Sequence, residues 1–86
     1  MSGVLEMFEM AVKLREIHAT ISRLYGPEKF AAHVADIEPV MRKRAESKNG
    51  NIYAAAIAMT KEAEDPKLQL LILAVAGEIK LREKAS

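Results

Sequence analysis

The chain has no cysteine and no tryptophan, and its only aromatic carbocycles are two tyrosines and two phenylalanines. Without cysteine there is no disulfide framework, no thiolate nucleophile and no thiolate-ligated metal. The lack also fits a reducing compartment. An excess of charge is missing too: 13 basic residues face 12 acidic ones, for a net charge of +1. Nothing global draws such a chain to nucleic acid or to an anionic membrane, so either partner would need a local patch. Long hydrophobic runs are absent as well. No uncharged apolar stretch is longer than residues 70–77, far short of the ~20 residues that span a bilayer. The opening MSGVLEMFEM carries acids where a secretory signal would carry bases, so the expected location is cytoplasmic. Glycine-rich phosphate loops, nucleophile elbows and histidine–carboxylate motifs are also lacking.

What is present is helical pattern. Residues 68–81, LQLLILAVAGEIKL, form the stretch around which the rest is organised. From 70 to 77 every position is apolar or glycine, so the helix it predicts is apolar on all sides and must be surrounded.

The other segments read as amphipathic covers. A first helix runs from a cap at Ser2 to Tyr25, with Val4, Met7, Ala11, Leu14, His18, Ile21 and Tyr25 spaced 3-4-3-4-3-4, the a/d pattern of a coiled-coil seam. A second stripe on it (Leu5, Phe8, Val12, with Met10, Ile17 and Leu24) widens the apolar arc. Glu9 and Lys13 are placed to pair at i,i+4. Gly26-Pro27 ends this helix and starts the next, whose Phe30, Val34, Ile37, Met41 and Ala45 share one face. Pro39 interrupts that helix and should kink or split it near residues 36–39. Asn49-Gly50-Asn51 is a turn. A third helix follows from Ile52 to about Glu64, rich in alanine, and Asp65-Pro66 starts the fourth. Gly77 in that fourth helix invites a close crossing, with the alanine face of the third helix as its expected neighbour. The fold class is therefore all-α: one domain over residues 1–86, a small four-helix bundle built from two antiparallel hairpins.

A domain of 9.5 kDa should fold to roughly 5,000 Å² of surface and bury only about 63% of what its unfolded chain exposes. So thin a core favours self-association. The first helix carries more apolar surface than one core needs, and the fourth is apolar all round. Together they predict a homodimer, or a second protein as partner, with Val4, Met7, Phe8, Ala11, Leu14, His18, Ile21, Tyr25, Leu70, Leu73 and Gly77 as candidate interface.

Sites of chemistry are few. Arg42, Lys43, Arg44 and Lys48 form the one dense basic patch, a candidate anion site. Glu46 interrupts it and no aromatic interleaves, so it reads first as a basic helix end complementing its own dipole. His18 and His33 have no helical histidine partner, and a metal site needs three or four ligands. His18 reads instead as a hydrogen-bonded residue beside a seam. The serines occupy cap, surface and end positions, and Arg15, Arg23, Arg42 and Arg44 all fall on solvent sides. Met7, Met10, Met41 and Met59 lie in apolar arcs and read as adaptable core. No catalytic, cofactor or metal residue is assigned. By elimination the expected function is a non-enzymatic interaction module: an adaptor, inhibitor or regulatory accessory protein. Nucleic-acid association through the basic patch is the second reading and a small helical enzyme the third.

Overall fold

A computed structural model describes residues 2–85 and contains four helices: α1 (Ser2–Tyr25), α2 (Pro27–Glu46), α3 (Ile52–Glu62) and α4 (Pro66–Ala85). The side chains of Ser2, Val4, Leu5 and Met7 lie outside the described part, and with them the expected Ser2 cap.

Each connection follows from local chemistry. Gly26 takes φ +85°, its N–H donates to the Ser22 carbonyl at 3.0 Å, and its own carbonyl accepts from Phe30 at 2.9 Å. One glycine thus closes α1 and opens α2, with Pro27 in the first turn, where its missing N–H costs nothing. After α2, Asn49 and Gly50 both adopt positive φ, and the Gly50 N–H returns to the Ala45 carbonyl at 2.7 Å. The Asn51 side chain then caps α3 by accepting from the Ala54 N–H at 3.1 Å. That helix stops at Glu62, short of the Glu64 expected from sequence. Gln69 reaches back from α4 and donates to the carbonyls of Thr60 and Ala63, at 3.0 and 2.8 Å, satisfying the end of α3 there.

Of the two alternatives at Pro39, one continuous helix forms. Ala35, Asp36, Pro39 and Val40 are all exposed, so the carbonyl that loses its donor faces water. Phe30, Val34, Met41 and Ala45 hold the other face in the core.

α4 is the central helix. Leu71, Ile72, Ala74, Val75, Ala76, Gly77 and Ile79 are buried around its circumference, and it packs on α1, α2 and α3 alike. Its largest interface is with α1, across the two hairpins. Gly77 makes that contact close: a β-carbon there would lie 2.9 Å from the Leu14 carbonyl oxygen and 3.0 Å from His18 Cβ. The sequence pattern points this crossing at α3, and the structure corrects it to α1. The α3 alanines Ala55 and Ala56 are buried in the same core, but the atoms nearest a β-carbon at Gly77 all belong to α1. Among the described residues α1 and α3 make no backbone approach to each other, although both pack on α4.

Candidate interaction surface

Because α1 and α3 stand apart, a groove of about 310 Å³ opens between them. Met10, Leu14 and Ile17 line it from α1, Tyr53 and Ile57 from α3, and the half-buried Leu73 of α4 lies between. Glu6, Glu9 and Lys13 form its polar rim. A second recess, lined by Thr60, Lys61 and Leu70, shares Leu73 with the first and extends the apolar surface along α4. Farther round α1, Phe8 is 66% exposed and Val12 40%. The two are four residues apart and so form one ridge on the helix surface. Leu24, at 75%, is the most exposed large apolar side chain among the described residues.

The groove's rim differs from the opposite side of the molecule in its charges. Glu9 and Lys13 do not form the i,i+4 pair that their spacing suggests, and Glu6 and Arg15 likewise have no ion-pair partner among the described residues. Across α2 and α4, by contrast, charges are chained. Arg42 Nε donates to Glu38 at 2.8 Å, and Arg82 Nη1 donates to the other oxygen of the same carboxylate at 2.7 Å. Arg82 Nε also donates to Glu78 at 3.1 Å, and Glu78 Oε1 lies 2.8 Å from His18 Nε2. This chain of polar contacts thus crosses from α2 through α4 to α1. Burial pushes the pKa of Glu38 upward, but the hydrogen bonds and charges of Arg42 and Arg82 outweigh it and hold the carboxyl below its ordinary value. His18 has its carboxylate partner and also meets the Phe30 ring edge-on at 5.5 Å, while His33 packs edge-on against Tyr25 at 4.9 Å. Among the described residues no three His, Asp or Glu side chains are grouped to hold a metal ion. No described helix is long and apolar enough to cross a membrane.

The basic patch is partly neutralised within the fold. Arg44 grips Glu62 of α3 with two hydrogen bonds of 2.7 Å, which raise the arginine's pKa and lower that of the carboxylate. Arg42 is held by Glu38, leaving Lys43 and Lys48 as the patch's outward charges.

No family model, curated protein or solved structure matches this chain. The functional reading therefore rests on the residues themselves. Of the candidate interface, Ile21 and Gly77 are buried in the chain's own core, and Leu14 is buried too except for the edge that it turns to the groove. Ala11, His18, Tyr25 and Leu73 are half-buried, Phe8 and Leu70 are exposed, and Val4 and Met7 fall outside the described side chains. Sequence reasoning missed Tyr53 and Ile57 as groove walls. Their i,i+4 spacing as large side chains in an alanine-rich segment was the available signal. The Glu38–Arg82 bridge left no signal in sequence, since its partners are 44 residues apart.

Proposed function

We propose that this protein is a non-enzymatic interaction module, an adaptor, inhibitor or regulatory accessory protein, and that it associates with a second copy of itself. One observation carries the reading: the open apolar groove between α1 and α3, flanked by the exposed Phe8–Val12 ridge. Surface area supports it. The chain exposes 5956 Å², where a monomer of this mass is expected near ~5,000 Å². An excess of this kind is what association would cover. Burial of Leu14, Ile21 and Gly77 moves the proposed interface off the heptad seam and onto the flanks of α1. As part of the same proposal the setting is cytoplasmic, where a chain without cysteine needs no oxidising environment.

The two other readings find less support. In a nucleic-acid site Arg42 and Arg44 would contact phosphates, yet both already serve carboxylates. An enzyme built on converging arginines would draw on Arg15, Arg23, Arg42 and Arg44, and the last two are engaged by Glu38 and Glu62.

Sedimentation velocity across micromolar concentrations tests the proposal, with Ile57→Arg as the groove variant. Wild type should pass from monomer to dimer, and the variant should stay monomeric with its helical circular dichroism intact. Wild type sedimenting as a single species of about 9.5 kDa throughout would remove the self-association.

A further inference from the structure

A separate cavity, of about 380 Å³, lies where α1 passes the C-terminal half of α4. We infer that it binds a small phosphate monoester whose organic group is apolar, with Arg15 and Lys84 holding the phosphate. Ala11 of α1 and Leu81 of α4, both half-buried, give the cavity an apolar side, and Tyr53 lines it from α3. Arg15, Lys80 and Lys84 bring three cations to its wall against one carboxylate, Glu83. Lys80 Nζ donates to Glu83 Oε1 at 3.1 Å and lies 4.9 Å from the centre of the Tyr53 ring, so that cation and the carboxylate answer each other. Arg15 and Lys84 are exposed and have no ion-pair partner among the described residues. Two uncompensated positive charges therefore face one cavity, and the half charge at the C-terminus of α4 offsets only part of them. A phosphate monoester carries about two negative charges at neutral pH, which answers both; a carboxylate would answer one.

Helix geometry inclines the two cations toward each other. α1 and α4 run in opposite directions: His18 meets Glu78, while Ala11, earlier in α1, shares the cavity with Leu81, later in α4. A helical side chain leans toward the N-terminus of its own helix. Arg15 thus leans toward the level of Ala11 and Lys84 toward that of Leu81, from opposite ends of the cavity that both line. The planar fork of arginine suits two phosphate oxygens, and the ammonium of lysine suits the third. The apolar side at Ala11 and Leu81 is then left for the organic group. The volume is at the lower end for ligand pockets, which limits that group to about the size of a single ring.

Titrating the intact chain with phenyl phosphate, inorganic phosphate and benzoate at low salt and neutral pH, followed by amide chemical shifts, tests the site. Phenyl phosphate should bind saturably. Inorganic phosphate, which lacks the apolar group, and benzoate, which carries a single charge, should each bind several-fold more weakly. Arg15→Gln and Lys84→Gln should each weaken phenyl phosphate binding by about tenfold or more, the loss of one charge-assisted contact. Arg23→Gln removes another exposed arginine of α1, outside this cavity, and should bind as wild type does. All three positions are exposed, so helical circular dichroism should be unchanged. The site stands apart from self-association, because neither Arg15 nor Lys84 lines the α1–α3 groove. Lack of saturation up to ~10 mM phenyl phosphate would overturn the assignment. Undiminished binding by Arg15→Gln and Lys84→Gln would do the same, as would an equal loss in Arg23→Gln, the mark of general attraction to positive charge. Inorganic phosphate binding as tightly as phenyl phosphate would rule out the apolar side, and benzoate binding as tightly would rule out the match to a dianion.

Discussion

Gly77 and Leu14 meet backbone to backbone, with the space for a β-carbon on the glycine ending 2.9 Å from the leucine's carbonyl oxygen. A carbonyl in a helix cannot swing aside as a side chain can, so any larger residue must push α1 away from α4. Gly77→Ala should therefore destabilise the fold by about 1–3 kcal/mol despite alanine's better helix propensity. Thermal unfolding checks this, and a variant melting at or above wild type would refute the close crossing.

Glu38 gives the fold a defined response to acid. Its folded-state pKa lies below the ordinary 4.5, so the folded protein binds that proton less readily than the unfolded chain. The stabilisation it provides is complete above about pH 4.5 and disappears as the pH falls through the lowered folded value. Glu38→Gln should lower the urea midpoint at neutral pH, and the gap from wild type should close below that range. A gap that stays constant on acidification would mean that the Arg42–Glu38–Arg82 bridge adds nothing.

Pro39 makes the opposite kind of prediction. It sits exposed inside a continuous α2, where it withholds the hydrogen bond due to the Ala35 carbonyl. Pro39→Ala restores that bond on the solvent side without touching the core. Stability should rise by about 1–3 kcal/mol, the interior-helix cost of proline less what proline saves by restricting the unfolded chain. A lower melting temperature would show that Pro39 shapes α2 to fit its neighbours.

The basic patch separates the interaction reading from the nucleic-acid one. Replacing Arg42, Lys43 and Arg44 together by glutamine should leave self-association unchanged. Wild type should bind duplex DNA no more tightly than about 100 μM at physiological salt. Micromolar DNA binding that the triple variant loses, with a flatter dependence on log salt by about 0.9 per contact removed, would favour the nucleic-acid reading.

Much of this fold was legible in the residues because helical periodicity and turn chemistry are local. Gly26-Pro27, Asn49-Gly50 and Asp65-Pro66 mark the connections, and the unbroken apolar run at 70–77 marks the central helix. What a one-dimensional pattern does not carry is which face meets which. Gly77 advertised a close contact, and alanines on α3 offered an apparent partner, yet the space is filled by the backbone of α1 at Leu14. The heptad on α1 looked like a seam for another chain, but Leu14 and Ile21 turned inward to the core that the four helices share. The outward surface then fell to Phe8 and Val12, the secondary stripe. His18 was legible as a hydrogen-bonded residue, while Glu78 as its acceptor depended on how two distant helices cross.

The place of α4 in the chain also bears on how the protein comes into being. The helix that α1, α2 and α3 all pack against is the one that follows them. While the ribosome is still adding residues before Pro66, α1 has yet to meet its largest interface and the apolar faces have no common centre. Collapse of this bundle therefore waits for α4 to emerge, and the core forms by closure between segments distant in sequence. A nascent chain stalled in the α3–α4 connection would present three amphipathic helices without a core, a natural substrate for holding chaperones.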